Sequence, residues 1–316
     1  MKIIVTGSLG NISKPLIQML VSQGHLVTVI SSNARNQQEI EMLGATAAIG
    51  SIANVNFLTR TFQRADAVYA MIPLNYSVPD LSEYMQQMAL NYRRALQTVG
   101  IKRIVVLSGW AADILSGENI ESVFDGLGGA ITFMRPASFY TNFYQSIQMI
   151  RGAGWMGKLL ALRYLGLGAV LAGKTGLLLG NFGGNDRTIF VSPVDIAAAV
   201  AEELLLQPDK TNADNSGKPT IRYVGSEEMT CNEAARIIGT AIGKPWLKWV
   251  LVSNKQMLRM LKMAKMPRKL AETLVEMQSA IHSGKTLENF HRNRPRMGQV
   301  KLADFAKEFA VVYNKK

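Results

Sequence analysis

The chain contains 316 residues, of which 48% are hydrophobic, 18% charged and 8% aromatic, which is too apolar for a disordered chain and too charged for a multispan membrane protein. A single cysteine, Cys231, excludes a disulfide framework and any multi-cysteine metal site. Three widely spaced histidines offer no paired metal-ligand spacing, so no metal is expected. Because the sequence opens directly on a strand pattern and its central uncharged stretch, residues 164–173, is too short to span a bilayer, we expect a cytoplasmic protein without a membrane span.

The net charge of +12 is concentrated in one region. Residues 244–301 hold 13 Lys and Arg against three Glu, a net charge of +10, whereas residues 1–243 hold 19 basic and 18 acidic residues. A basic field suggests nucleic acid, but these residues are spread through apolar helical patterns without a recognisable nucleic-acid-binding motif. We therefore expect no nucleic-acid partner and interpret the region as a solvated helix face or a surface that steers an anionic ligand.

Strand and helix patterns alternate along the first half of the chain. Short β-branched or apolar runs predict strands at residues 2–5, 25–30, 46–49, 67–71, 103–107 and 130–134. The helical spacing of apolar residues predicts helices at 14–23, 37–43, 55–62 and 81–99, with a further candidate at 120–127. Strands separated by helices of this length predict a doubly wound α/β domain, in which helices cover both faces of a parallel sheet.

After about residue 145 the regular alternation ends. The patterns predict strands at 188–191 and 220–224, helices at 194–206, 230–242 and 302–309, one or two helices across 254–283 interrupted at Pro267, and a polar surface loop at 210–220. The glycine- and leucine-rich residues 152–184 could form a mobile lid, an oligomer contact or a buried hairpin. We therefore predict a first domain at 1–150, rejoined by 186–207, and a smaller, mostly helical lobe at 151–185 and 208–316.

The first strand leads into a glycine turn, TGSLGNIS, at residues 6–13. Gly7 permits a tight turn and Gly10 lets the backbone approach a pyrophosphate, while a helix beginning near Asn11 offers unpaired N–H groups and its positive dipole end. Ser13 stands where a third glycine is usual, at a position that needs a small side chain for helix-on-strand packing. A glycine turn without a ligand is the alternative. The position of the motif at the start of a βαβ unit favours dinucleotide binding.

The end of the second strand bears on the choice between NAD(H) and NADP(H). NAD sites commonly place an Asp or Glu there to bind the ribose hydroxyls, whereas this chain has Ser31, Ser32, Asn33 and Arg35 and no acid before Glu39. Hydroxyls and a guanidinium could bind a 2′-phosphate through charge-assisted hydrogen bonds. Arg35 could instead begin a surface loop. We favour NADP(H) over NAD(H) as the cofactor.

Seven segments follow one another along most of the chain: TGSLGNIS, SSNAR, AVYAMIP, VVLSG, TFMRPASFYTNF, FVSPVDIAAAVAEEL and GSEEMTCNEAARIIGTAIGKP. Their order resembles the NmrA-like branch of the atypical short-chain dehydrogenases/reductases. The resemblance implies a Rossmann-like domain, bound NAD(P)(H) and a variable C-terminal lobe over the nicotinamide end. It implies phosphate contacts at Gly7, Ser8, Leu9, Gly10, Asn11 and Ile12, adenosine-side contacts at Ser31, Ser32, Asn33 and Arg35, strand-edge contacts at Met71, Ile72, Pro73 and Leu74, and a place near the nicotinamide for Ser108.

The acid/base pair usual in that superfamily, a tyrosine followed four residues later by a lysine, is missing. In such a pair the phenol gives up a proton and the ammonium lowers its pKa. None of the nine tyrosines has a lysine at this spacing, and the stretch ILSGENIESVFDGLGG after the fifth strand contains no lysine. The catalytic residues are therefore unknown, with Ser108, Tyr140 and Tyr144 as candidates. The aromatic run 139–144 could line a substrate pocket or belong to the core.

Two functions from different classes fit these observations. The first is an NADPH-dependent reductase that passes a hydride to a small quinone-like or other electrophilic acceptor, which can take its proton from water. The second is a non-catalytic NADP(H) redox sensor that acts through a regulatory protein partner. The aromatic run favours the enzyme, with a small-molecule substrate as its partner, and the missing proton relay favours the sensor. The sequence leaves the substrate and the oligomeric state open.

Overall fold

A computed structural model describes residues 1–75, 77–115, 119–206, 218–293 and 295–315 of the chain. Most of the predicted polar loop at 210–220, namely residues 210–217, lies outside the described residues. Packing divides the chain into two compact units, the first comprising Met1–Pro136 and Pro193–Val224 and the second Ala137–Ser192 and Gly225–Lys316. The chain thus changes unit after residues 136, 192 and 224, whereas the sequence places the domain limits after 150, 185 and 207.

The described part of the first unit is built on a seven-stranded parallel sheet. Numbered along the whole chain, its strands are β1 (Lys2–Val5), β2 (Leu26–Ser31), β3 (Thr46–Ile49), β4 (Ala67–Ala70), β5 (Arg103–Leu107), β6 (Ala130–Pro136) and β10 (Thr220–Val224). Their order across the sheet is β10-β6-β5-β4-β1-β2-β3, and every neighbouring pair is parallel. The strand order reverses between β1 and β4, so the crevice at their carboxyl ends is where such sheets bind ligands. The predicted Rossmann-like α/β class is confirmed.

Helices cover both faces of this sheet. They are α1 (Ser13–Ser22), α2 (Gln37–Met42), α3 (Val55–Phe62), α4 (Leu81–Val99) and α8 (Pro193–Leu205). Because successive strand residues point to opposite faces, Val68 and Val106 pack with Phe62 of α3 and Tyr92 of α4 in one core cluster. On the other face α1 packs against α8. The helix candidate at 120–127 is only a short 3₁₀ segment, Ile120–Phe124.

The second unit is mostly helical, as predicted for the smaller lobe. Its strands are β7 (Ser138–Phe139), β8 (Leu178–Gly180), β9 (Arg187–Val191), β11 (Glu227–Thr230) and β12 (Trp249–Leu251). Its helices are α5 (Ile147–Arg151), α6 (Gly154–Leu165), α7 (Leu167–Leu171), α9 (Cys231–Ala241), α10 (Asn254–Met263), α11 (Arg268–His282), α12 (Lys285–Arg292) and α13 (Leu302–Asn314). The strands form the sheets β11-β9-β7 and β12-β8. Its main core joins Tyr140 and Phe143 to aromatic residues of β9 and α13.

Several predicted boundaries shift in the second unit. Residues 152–184, for which the sequence left three options open, form α6, α7 and β8. The closing helix continues to Asn314 rather than ending at residue 309. The predicted interruption at Pro267 is confirmed, because α10 ends at Met263 and Pro267 precedes the first residue of α11. Among the described residues, none of the helices combines the length and the apolar character needed to cross a bilayer.

A buried ion pair joins α8 to the sheet of the first unit. Arg103 of β5 is 4% exposed and Glu203 of α8 is 7% exposed. The Arg103 guanidinium donates to the Glu203 carboxylate and, over 2.6 Å, to the Glu203 carbonyl oxygen. Thr132 donates to the same carboxylate over 2.9 Å and Arg222 over 3.0 Å. The carboxylate is therefore compensated by two cations and a hydroxyl, which makes its burial tolerable.

Replacing Glu203 should destabilise the first unit strongly. In a Glu203→Ala variant, Arg103 stays buried without its counter-ion, which we expect to lower the free energy of unfolding by about 3–5 kcal/mol. Glu202→Ala is the matched control, because the Glu202 side chain is 57% exposed and pairs with Arg222 at the surface; it should cost no more than about 1 kcal/mol. Urea denaturation followed by circular dichroism measures both. Equal midpoints for the two variants would contradict this account of the pair.

Candidate functional site

The turn after β1 is fixed by hydrogen bonds of the buried residue Thr6. Its backbone N–H donates to the Tyr69 carbonyl over 3.1 Å. Its hydroxyl oxygen accepts from the Met71 N–H over 2.7 Å and its proton is directed to the Met71 carbonyl over 3.3 Å. The Tyr92 phenol donates to the same carbonyl over 2.9 Å. These bonds join the carboxyl ends of β1 and β4, where the strand order of the sheet reverses.

Gly7 makes the turn possible because no other residue fits there. Its φ of +85° is strained for a residue with a side chain. A Cβ at this position would lie 2.7 Å from the Met71 Cγ and 2.7 Å from the Ser13 Oγ. Ser13 itself is 1% exposed and donates to the Thr6 carbonyl over 2.8 Å. Serine therefore fits where a third glycine is usual, because its hydroxyl has an acceptor inside the contact of helix and strand.

Gly10 lies exposed at the outer edge of the turn. Its N–H donates to the Gly7 carbonyl over 3.0 Å, and its own carbonyl accepts from the Lys14 N–H over 3.0 Å. A Cβ at Gly10 would lie 3.0 Å from the Gly7 carbonyl oxygen, tighter than an ordinary contact. The lack of a side chain thus leaves the outer surface of the turn open to a ligand.

Helix α1 begins at Ser13, one residue before the start given by the helical spacing and two after the start near Asn11 expected from the motif, because Asn11 and Ile12 form a turn. No side chain caps this helix and its first turn contains no acid. Within the described ranges, the backbone N–H groups of Leu9, Asn11 and Ile12 have no hydrogen-bond partner. Free N–H groups beside the positive end of a helix dipole suit an anionic group such as a pyrophosphate.

A cluster of polar side chains joins the turn to the end of β2. Ser8 donates its hydroxyl proton to the Ser31 Oγ over 2.9 Å, and Ser31 donates to the Asn33 carbonyl over 3.1 Å. The Asn36 amide donates to the Ser8 Oγ over 2.8 Å and to the Ser31 Oγ over 3.3 Å. Ser31 is only 2% exposed, so it shapes the loop from within. The sequence analysis missed Asn36, whose only sequence signal is a polar side chain just before α2.

The loop after β2 presents positive charge at its surface. Ser32, Asn33 and Arg35 are exposed, and Arg35 lies in the 3₁₀ segment Ala34–Asn36. Glu39, the first acid after β2, forms an ion pair with Lys14 of α1 at 2.7 Å. Because Lys14 compensates this acid, the Arg35 guanidinium gives the loop its net charge.

Ser108, at the end of β5, belongs to a buried network of charges. Its hydroxyl donates to Glu121, and Arg135 donates to both carboxylate oxygens of Glu121 over 2.9 and 2.7 Å. Arg135 also lies 2.9 Å from the Tyr223 phenol oxygen and 3.1 Å from an Asp113 carboxylate oxygen. The exposed fractions of Arg135 and Glu121 are 3% and 7%. The only hydroxyl proton of Ser108 is therefore committed to Glu121.

The network also contains a tyrosine beside a cation, but the cation is an arginine of the neighbouring strand instead of a lysine four residues later. Tyr223 and Arg135 are neighbours because β10 and β6 pair in the sheet, although 88 positions separate them in sequence. Burial raises the pKa of Tyr223, and the bond from Arg135, which lowers it, does not offset this. For Arg135, burial lowers the pKa, but Glu121 outweighs it and the pKa is raised. Tyr223 is thus a poor proton donor near neutral pH.

Tyr140 and Tyr144 lie in the second unit, where the aromatic run 139–144 contributes to the core. Tyr140 is fully buried, stacks on Phe305, and directs its phenol to a Glu227 carboxylate oxygen at 3.2 Å and the Val300 carbonyl at 3.1 Å. Tyr144 is partly buried among the aromatic residues of α13. Burial, followed by the charge of Glu308, raises its pKa. Of the two alternatives for this run, the structure shows the core cluster.

Comparisons with known proteins agree with this fold. Residues 7–127 match the family described as NAD(P)H-binding. Among curated protein sequences, none matches the chain. Similar solved structures include an NADPH-dependent quinone oxidoreductase from Escherichia coli complexed with NADPH, which is 18% identical with a TM-score of 0.68, the match covering 97% of this chain and 99% of that one.

Two further structures have the same fold. A triphenylmethane reductase from Citrobacter sp., complexed with NADP(H), is 18% identical with a TM-score of 0.68, and the match covers 98% of this chain and 99% of that one. A nucleoside-diphosphate-sugar epimerase from Staphylococcus aureus is 16% identical with a TM-score of 0.67, covering 97% and 100% of the two chains. At these identities the similarity establishes the fold alone. Together with the family match, it identifies the first unit as carrying an NAD(P)H-binding domain of Rossmann-like fold.

Proposed function

We propose that the protein is an NADPH-dependent reductase of a small quinone-like or other electrophilic acceptor, and that it belongs to the NmrA-like branch. The observation that carries this proposal is the turn after β1, which presents unpaired N–H groups beside a loop carrying Arg35. An acid at the end of β2 would favour the ribose hydroxyls of NAD(H). Here the nearest acid, Glu39, is already paired with Lys14.

The residues present fit such a cofactor along the carboxyl edge of the sheet. The turn Gly7–Ile12 would hold the pyrophosphate through backbone N–H groups, because Gly10 has no side chain to obstruct it. Ser32, Asn33 and Arg35 would hold the 2′-phosphate from the surface of the loop. Residues 71–73 and Ser108 would border the cofactor at the ends of β4 and β5. NADPH supplies a hydride when it is bound.

The candidate proton donors of the first unit, Ser108 and Tyr223, support an acceptor that needs little acid catalysis. The Ser108 hydroxyl donates its hydrogen bond to Glu121, and Tyr223 is buried with a raised pKa. A ketone needs a proton as the hydride arrives, because its product would otherwise be a strongly basic alkoxide. The anion of a reduced quinone is a much weaker base than an alkoxide and can take its proton from water. The Escherichia coli and Citrobacter relatives are described as reductases of a quinone and of triphenylmethane dyes, which supports the same acceptor class. The missing tyrosine–lysine pair remains the one argument for the alternative of a redox sensor, and the similar solved structures named above give it no support.

Gly10→Val should abolish tight dinucleotide binding. The added side chain would stand on the outer surface of the turn and crowd the Gly7 carbonyl, so we expect NADPH affinity to fall roughly a hundredfold or more. Gly128→Val is the control, because no atom lies within 4 Å of a Cβ at Gly128. Calorimetric titration of both folded variants measures the effect. An unchanged affinity in Gly10→Val would mean that the pyrophosphate does not bind at this turn.

Arg35→Ala should change the preference between the two cofactors. Loss of one charge-assisted hydrogen bond to the 2′-phosphate costs about 1.5–3 kcal/mol, which is roughly a ten- to hundredfold loss of NADPH affinity with little change for NADH. Arg60→Ala, at another exposed arginine of the first unit, should change neither affinity. A variant at Arg35 that weakens both cofactors equally, or neither, removes the argument for NADP(H).

The acceptor class is tested by matched quinone and ketone series with NADPH. We expect turnover of quinones and poor reduction of ketones. Tyr144→Phe should leave quinone turnover within about twofold, and Tyr140→Phe should lower stability by about 1 kcal/mol through its lost hydrogen bond while leaving turnover of the folded variant unchanged. Brisk ketone reduction that one of these substitutions abolishes would show a tyrosine acid. Tight NADPH binding without turnover of either series would favour the sensor.

A further inference from the structure

Helices α6 and α7 of the second unit carry several large apolar side chains that are exposed. Trp155, Leu159 and Leu162 are 73%, 51% and 45% exposed and recur at i, i+4 and i+7, so they share one side of α6. Leu167 and Leu171 of α7 are 61% and 79% exposed. We call these five residues the α6–α7 face. Isolated exposed leucines are ordinary, but such a concentration within 17 consecutive residues marks an interaction surface.

The opposite side of α6 is packed, so its orientation is fixed. Leu160 and Tyr164 pack against a small core cluster that contains Leu177 and Leu179. A helix that is apolar all round is normally buried all round. Among the described residues, the core cluster packs against this side of α6, and the exposed Trp155, Leu159 and Leu162 lie on the other.

The charged residues of α6, α7 and the residues that directly follow them are all positive. The sequence contains no acidic residue between Asp125 and Asp186. Lys158, Arg163 and Lys174 are exposed, and the last two lie over the rings of Tyr164 and Trp246. Apolar residues of the tryptophan and leucine type with basic neighbours are typical of segments that lie in the interface of an anionic bilayer.

Helix α10 adds basic side chains to the same part of the unit. Its Met257 and Met260 pack against the cluster that α6 also covers. Lys255, Arg259 and Lys262 on this helix are exposed. The helix lies within residues 244–301, which carry a net charge of +10 from 13 basic and three acidic residues. Three of these basic residues therefore lie on a helix that packs against the same core cluster as α6.

We propose that the α6–α7 face binds the surface of a bilayer containing anionic lipids. Trp155 and the leucines enter the boundary between headgroups and acyl chains, and the surrounding lysines and arginines contact lipid phosphates. A second copy of this chain is a less suitable occupant, because a two-fold interface would place this face against itself and bring its uncompensated cations together. An anionic lipid surface supplies both the apolar medium and the negative charge. This inference is independent of the proposed function.

Co-sedimentation of the full chain with lipid vesicles tests this proposal without cofactor or substrate. The probes are vesicles of phosphatidylcholine alone and of phosphatidylcholine mixed with phosphatidylglycerol. We expect binding to the mixed vesicles, little binding to phosphatidylcholine alone, and weaker binding as salt is raised. Equal partitioning into both lipids, or into neither, would overturn the proposal.

Paired substitutions test the apolar and the basic components. Leu167→Ser with Leu171→Ser should lower partitioning into mixed vesicles about tenfold or more. Leu26→Ser with Met42→Ser is the apolar control in the first unit, where the two residues are 74% and 72% exposed. Lys158→Gln with Arg163→Gln should lower partitioning roughly 25-fold, at about fivefold for each charge. Arg60→Gln with Arg94→Gln, at exposed arginines of the first unit, is the charge control.

Light scattering after gel filtration tests whether a second copy of the chain, instead of a bilayer, covers the α6–α7 face. A lipid-free dimer that the Leu167/Leu171 substitutions convert to a monomer would assign the face to a second copy and overturn the proposal. Equal loss of vesicle binding in the test variants and their controls would also overturn it. Loss confined to the α6–α7 variants, with unchanged thermal unfolding, supports the bilayer as the occupant.

Discussion

The candidate cofactor site depends on how Thr6 joins the carboxyl ends of β1 and β4. The hydroxyl of this buried residue contacts both the N–H and the carbonyl of Met71. These bonds hold β1 and β4 together at the point where the strand order reverses and the crevice opens. Gly7 then turns the chain in a conformation that excludes a side chain, and Ser13 closes the turn from the helix side. The unpaired N–H groups that follow are a consequence of this geometry, because the turn delays the start of α1 until Ser13.

A second constraint is the burial of charge at the ends of β5 and β6. Arg135 and Glu121 compensate each other below the protein surface, and each is further held by neighbours, including Ser108 and Tyr223. Burying such groups is tolerable only while every partner stays in place. The hydrogen bonds and ion pairs of this network therefore make the Ser108 hydroxyl and the Tyr223 phenol poor proton donors to an acceptor. This is the physical basis for expecting an acceptor that needs no dedicated acid.

The sequence predicted the doubly wound sheet because period-two strands, helical spacing and glycine stops agree with one another in the first 136 residues. It also located the turn at Gly7 and Gly10, where the chemistry is local. It could not predict contacts made through the fold. Asn36 reaches Ser8 across 28 positions, and Arg135 reaches Tyr223 across 88. The helices within residues 152–184 could not be predicted from apolar spacing, because α6 is apolar on its exposed side as well as on its packed side.

The central claim is that the first unit binds NADP(H) through the turn after β1 and the loop after β2. Its most direct test is calorimetric titration of the unmodified protein with NADPH and NADH under identical conditions. NADPH should bind at least about tenfold more tightly, since only NADPH carries a 2′-phosphate for the Arg35 loop. Equal affinity for the two cofactors, or tighter binding of NADH, would contradict it.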